Sequence, residues 1–430
     1  MADKLGSIFT IKLGVHRVLV VSSSEMAKEC LTTNDRVFAS RPKAMATELM
    51  GYNYATFGLA PYGPYWRQIR RIIVLELSSH HRLQTLAHIR VSEVKSSIID
   101  IYRSWERNKG SYERVMVDMK QWFGNIIVNM VVRMMFGNHF KPGEQNRDQF
   151  QNAINRFVEL MGVFVPADAT PWLRWLDIGG YEKKMKKTAI ETDSLLSGWL
   201  EDQKEKMNST LDESGDQVVF MAAFLSRVKE EVKEELYGFS TDEIVKATCL
   251  LSTRGTFDVI LPCNVCSSYR HDDGDSNMGL VLKKAQQELE NHVGRDRKVE
   301  ESDMSNLVYL EAIIKETMRL YPAAPLSLPH ESTEDCIVGG YTIPKGTRLL
   351  GRHFELMPFG SGRRVCLGSS FALEVVQLIP ASIIHGFEFQ HPSNEQIVMT
   401  ESSGLVNHIA SPLELLVAPR LSPHVYGFLT

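Results

Sequence analysis

The chain lacks any apolar run near the roughly 18 residues that a membrane-crossing helix needs. Its opening, "MADKLGSIFTIKLG", has neither the apolar core nor the small-residue cleavage site of a signal peptide. Cysteine is scarce: Cys30, Cys249, Cys263, Cys266, Cys336 and Cys366 are the only six among 430 residues. Their irregular spacing excludes a secreted disulfide framework and favours a reducing compartment. An excess of basic charge is also missing, and the formal net charge of −4 gives nucleic acid no electrostatic footing. Internal repeats are absent. The single Cys263-x-x-Cys266 pair, with His271 nearby, lacks the second pair that a zinc site requires and the βαβ context of a redox motif. "HDDGDS" (271–276) places its glycine too early for a calcium loop.

What is present is ordinary globular material, 43% hydrophobic and 23% charged, long enough for a large core. Residues 7–21, "SIFTIKLGVHRVLVV", read as two strands around a turn at Gly14. Ser22 and Glu25 form a capping box for a short helix through Leu31. Apolar residues then recur at helical spacing over 83–105 and 115–135. The methionines of the second stretch read as core filling, and "EKKMKK" (182–187) reads as the wet face of a helix. Further helices are expected over 181–205, 219–238, 241–252, 279–294 and 304–321, with "KMNSTLDESGD" (206–216) as a polar loop. Beyond Pro322, short β segments precede a last helix that begins near Gly368, and the tail from 387 alternates strands and turns. The fold class is mainly α with small β sheets, segregated rather than alternating. From Gly255 to Asn277 periodicity is lost, and Pro262 stops the preceding helix from continuing as one rod.

The most specific feature is "PFGSGRRVCLG" (358–368). Its glycines let the chain turn tightly around Cys366. The helix that follows puts the sulfur near unpaired N–H groups that favour a thiolate. Such a thiolate is an axial ligand that haem iron accepts. Phe359, Gly362, Arg364, Cys366 and Gly368 match every fixed position of F-x-x-G-x-R-x-C-x-G, and by them the chain resembles the cytochromes P450. Glu316-x-x-Arg319 resembles the family's K-helix E-x-x-R, and Trp66-x-x-x-Arg70 its C-helix W-x-x-x-R. "PAAPLSLPHES" (322–332) resembles the segment after the K helix. Other stretches, among them "DIGGYEKKMKKTA" (177–189), are similar to plant microsomal members, family 82 above all.

The resemblance implies a single P450 domain over 1–430, with haem b held by Cys366 as axial thiolate. Trp66, Arg70, His330 and Arg364 would serve the propionates, with Phe359, Gly362 and Gly368 shaping the loop. Glu316 and Arg319 would form a buried structural pair supporting it, and Ala323 to Leu328 would line the substrate pocket. No catalytic acid or base is assigned. The implied activity is oxidation of a small lipophilic plant secondary metabolite (alkaloid, terpenoid or phenolic) with O2. Electrons would come from NADPH through NADPH-cytochrome P450 reductase, to a monomer on the cytosolic face of the endoplasmic reticulum.

Three departures accompany the resemblance. The sequence as given begins after the family's membrane anchor and proline-rich hinge. Asp258 falls on the acidic position of the I-helix oxygen motif, but Val259 and Ile260 stand where the family has two threonines. "PKGTRLLGRHFELMPFG" (344–360) has a deletion near 350–352, without the P-E-R-F segment whose arginine completes a network with Glu316 and Arg319. The expected fold is thus an incomplete P450. The competing expectation is a haem-binding but catalytically inactive fragment or mis-spliced product.

Overall fold

A computed structural model describes residues 2–108, 113–137, 145–208, 219–232, 237–260, 278–324, 327–351, 358–392 and 411–427. Its α-helices of ten or more residues are labelled α1 Pro64–Ile73, α2 Ala87–Asn108, α3 Met119–Phe136, α4 Gln145–Gly162 and α5 Tyr181–Asn208. They continue as α6 Phe220–Glu231, α7 Thr241–Ile260, α8 Met278–His292, α9 Val308–Leu320 and α10 Ser369–Gly386. The strands are β1 Ile8–Leu13, β2 His16–Val21, β3 Val115–Asp118, β4 His330–Glu331, β5 Cys336–Val338, β6 Tyr341–Ile343, β7 Arg348–Gly351, β8 Phe387–Gln390 and β9 Glu414–Pro419. They form sheets in the orders β1-β2-β7-β4, β3-β9-β8 and β5-β6. Strand β7 runs parallel to β2, Val18 facing Arg348, while the other pairs are antiparallel. The molecule is therefore mainly α with small sheets.

The largest apolar cluster lies among the helices. α3 is buried nearly all round, with Met119, Met130, Met134 and Met135 in the core, and it packs on α2 and α7. In α5 the lysines of "EKKMKK" face water while Met185 between them is fully buried. A second, smaller cluster, which includes Leu19, Val21, Cys30, Leu31, Phe38, Val338 and Leu349, sits under the first sheet. It fixes residues 24–39 against the strands.

Several boundaries differ from the sequence expectations. The first helix is capped by Ser23, whose hydroxyl accepts from the Met26 amide, and a π turn over Glu29–Thr33 prolongs it. Residues 115–118 form β3 rather than the start of a helix, because β9 offers them a sheet partner that local periodicity cannot reveal. α5 runs on to Asn208, three residues into the expected loop, and 209–216 lie outside the described residues. α7 extends to Ile260, past Gly255, and Pro262 lies outside the described residues. Cys263, Cys266 and His271 lie outside the described residues. Cys30, Cys249, Cys336 and Cys366 are free thiols.

Candidate cofactor site

The cysteine loop is shaped by its own glycines and by what it packs on. Gly360 and Gly362 adopt φ +72° and +64°, in the left-handed region. A Cβ at Gly362 would also lie 2.4 Å from the Leu31 carbonyl oxygen, so this position excludes side chains twice over. Gly368 differs: its φ of −85° is open to any residue, and its role is to sit beside the sulfur, where a Cβ would be 3.9 Å from Cys366 Sγ. A short 3-10 turn, Gly362–Arg364, then delivers Cys366, whose amide donates to the Phe359 carbonyl at 2.9 Å. α10 starts at Ser369 directly after.

The free thiol does not behave as the helix N-terminus alone would dictate. Burial pushes the Cys366 thiol above its ordinary range, and the Gly368 amide and Arg70 only partly oppose this. Desolvation therefore favours the neutral thiol over the thiolate.

Beside it stands a cluster of cations. Arg364 donates to the carbonyls of Ala39 (2.6 Å), Ala60 (2.6 Å) and Phe57 (3.4 Å), with its guanidinium 4.4 Å from the Trp66 ring centroid. Arg70 donates to the Val365 carbonyl at 3.1 Å, tying α1 to the cysteine loop, and also lies over Trp66 at 5.3 Å. His330 donates from Nδ1 to the Phe38 carbonyl at 2.6 Å. Arg41, which no sequence pattern marks, completes the group: it is buried and donates to the carbonyls of Gly58, Leu328 and Pro329.

Burial pushes Arg41 down to about 9. Arg364 falls to about 8 through burial, then through Arg41 and Arg70. His330 drops to about 3, chiefly by burial, with Arg41 and Arg364 lowering it further against the Phe38 hydrogen bond. Among the described residues, none of the groups acting on these side chains is a carboxylate. The Trp66 indole N–H is buried among them without an acceptor. A cluster of buried and half-buried arginines beside an orphan N–H donor is suited to anionic oxygens. Two carboxylates beside a cysteine fit haem, and the residues present fit the group.

Not every expected site residue joins this cluster. Phe359 is half-buried and contributes its carbonyl to the loop. Glu316 and Arg319 do pair, at 2.6 and 2.8 Å, but their side chains are 55% and 52% exposed, which corrects the expectation of a buried pair. The reason is helical phase. α9 buries Leu310, Ile314 and Thr317, and Glu316 and Arg319 project from the opposite face. Ser327 takes φ +58°, Leu328 gives its carbonyl to Arg41, and residues 325–326 lie outside the described residues. Asp258, Val259 and Ile260 are on α7, and their side chains lie outside the described residues.

Comparison with known proteins agrees with this geometry. The family model "Cytochrome P450" matches residues 1–256, 280–351 and 350–416. A demethylepipodophyllotoxin synthase of Sinopodophyllum hexandrum is 44% identical over 464 aligned residues, covering 99% of this chain and 87% of that one. Cytochrome P450 82A4 of Glycine max is 42% identical, with 99% and 86% covered, and a flavonoid-6-hydroxylase of Ocimum basilicum 41%, also with 99% and 86%. Among solved structures, a zebra fish cytochrome P450 determined with abiraterone superposes with a TM-score of 0.77 at 22% identity, covering 97% of this chain and 98% of that one, which shows the shared fold. With the family model matched over most of its length on this fold, and with the cysteine loop and its neighbouring arginines in place, the chain belongs to the cytochrome P450 family of haem-thiolate monooxygenases.

Proposed function

We propose that this protein oxidises a small lipophilic plant secondary metabolite, an alkaloid, terpenoid or phenolic, with O2 and electrons from NADPH passed on by NADPH-cytochrome P450 reductase. The observation that carries the reading is the Cys366 loop, whose half-buried Arg364 stands with buried Arg41 and His330; among the described residues no carboxylate acts on these three side chains. The substrate class draws support from relatives named for work on a lignan-type compound, a flavonoid and strychnine.

Cys366 would hold the iron, giving up its proton to do so. Arg41, Arg70, Arg364 and Trp66 would bind the propionates. Neutral His330, whose Nδ1–H is spent on Phe38, would join them only by taking up a second proton, which a nearby carboxylate favours. Haem, when bound, supplies the redox chemistry of dioxygen, and thiolate ligation favours O–O cleavage. Gly368 leaves the side of the sulfur clear, Gly362 lets the loop close on Leu31, and Arg70 keeps the loop fixed to α1. A monomer on the cytosolic face of the endoplasmic reticulum fits the reading. Among the described residues no helix is long and apolar enough to cross a membrane. A single domain over 1–430 is likewise part of the proposal.

The test is spectroscopic. The reduced, haem-loaded protein with carbon monoxide should show a thiolate-type Soret band that Cys366→Ser removes, and a chain that takes up no haem would sink the reading. A second reading, haem binding without productive turnover, is favoured by one observation. The family match stops at 256, within α7, and resumes only at 280, within α8, and Val259 and Ile260 in that gap carry no hydroxyl to hand on a proton. NADPH consumption without product would favour this second reading, and product formation the first.

A further inference from the structure

Three consecutive non-glycine residues, Tyr52, Asn53 and Tyr54, adopt φ +52°, +48° and +71°. The left-handed region is uncommon for residues other than glycine, asparagine being the most tolerant, and such a run persists only where its surroundings enforce it. Here the enforcement comes from two helices. The Tyr52 hydroxyl donates to Asp193 Oδ1 of α5 at 2.8 Å. Lys246 Nζ of α7 donates to the same oxygen at 2.6 Å and to Ser197 Oγ at 3.1 Å, and lies 5.5 Å from the Tyr52 ring centroid. Burial and Asp193 hold the Tyr52 hydroxyl far above its ordinary titration range, so it remains a donor.

The segment that follows is braced as one body. The Ala55 amide donates to the Tyr52 carbonyl, the Thr56 amide and hydroxyl both to that of Gly51, and the Leu59 and Ala60 amides to that of Thr56. Tyr65 donates its hydroxyl to the Ala55 carbonyl. At its far end the same segment offers the carbonyls of Phe57, Gly58 and Ala60 to Arg364 and Arg41. A Cβ on Gly58 would lie 2.3 Å from Leu251 Cδ2 of α7, so the segment is pressed onto that helix.

We propose that Tyr52, Asp193 and Lys246 form a clasp of positioning residues: they seat the braced segment 51–61 on α5 and α7 and thereby hold Arg41 and Arg364 where haem carboxylates bind. The clasp acts through backbone carbonyls and touches no cofactor atom. Its effect on haem rests on the functional reading above.

The experiment uses the full chain, with and without haem, as wild type, Asp193→Ala, Tyr52→Phe, the charge swap D193K/K246D, and Glu191→Ala as a control. Glu191 shares α5 but pairs with Arg156 and Lys187. Hydrogen exchange at the amides of 55, 56, 59 and 60 should accelerate by about tenfold or more in Asp193→Ala. Transfer of haem to excess apomyoglobin should accelerate by about threefold or more, as expected when charge-assisted contacts loosen. Tyr52→Phe should shift both in the same direction by less, the swap should recover part of both, and Glu191→Ala should change neither. Unchanged exchange in Asp193→Ala and Tyr52→Phe overturns the clasp. Faster exchange with unchanged haem transfer overturns its positioning role. A wild-type chain that takes up no haem overturns the functional reading instead, and the exchange measurement, which needs no haem, still decides whether the clasp holds the segment.

Discussion

At the scale of single residues, the site is governed by the cost of burying charge. His330 is neutral in the fold because burial pushes it from 6.5 to about 3. Between those values the unfolded chain binds a proton that the folded chain refuses. Its contribution to stability is therefore present above pH 6.5 and is lost as pH falls from there through about 3. We expect His330→Gln to remove ~3–5 kcal/mol of the acid destabilisation of the haem-free protein across that window, an upper range set by the size of the shift. Urea midpoints at pH 7, 5 and 4, compared between the two proteins, check this, and parallel curves would contradict it. Arg364 poses the complementary case, a cation that among the described residues hydrogen-bonds only to carbonyls and lies over Trp66. Arg364→Ala should speed haem loss by about 10- to 100-fold, the value of one or two charged hydrogen bonds, as followed by transfer to apomyoglobin.

At the scale of elements, the cysteine loop and α9 show how local geometry grades the effect of substitution. Gly360 and Gly362 share a left-handed backbone, but only Gly362 faces another chain segment, at Leu31. Gly360→Ala should cost about 1 kcal/mol, the conformational penalty alone. Gly362→Ala should cost clearly more and lower haem content, because the loop must move off the π turn. Thermal melts and haem-to-protein ratios of the two variants give the comparison, and equal losses would contradict it. In α9, Glu316→Ala and Arg319→Ala should leave the unfolding midpoint within error, since an exposed ion pair is screened by water and salt. Marked destabilisation would show that the pair is engaged by residues beyond those described.

At the scale of the whole molecule, the cation cluster draws its members from distant parts of the chain. Arg41 follows the first sheet, Trp66 and Arg70 are on α1, His330 is on β4, and Arg364 is in the cysteine loop. Haem would tie these parts together. Binding to the folded state alone should raise the unfolding free energy by about 2.7 kcal/mol at a hundredfold excess over the dissociation constant. Melting temperatures measured against haem concentration should rise accordingly, and a flat response would contradict the assignment of this cluster.

Much of this was legible in the sequence, for a physical reason. Helical periodicity, the Gly14 hairpin and the loop around Cys366 are local, fixed by neighbours within one or two turns of chain, whereas Trp66, Arg70, His330 and Arg364 were marked only through the resemblance to a family. Tertiary structure decided what depends on distant partners. Residues 115–118 became a strand because β9 pairs with them. Glu316 and Arg319 came to lie in water because of the face that α9 turns inward. The Cys366 proton is held by burial, which overrides the helix end that a sequence reveals. Arg41 entered the site only because folding brings it to carbonyls nearly three hundred residues away, at Leu328 and Pro329. Sequence sets which chemistry is possible, through residue type and short-range spacing, whereas desolvation and charge proximity exist only once the chain has packed.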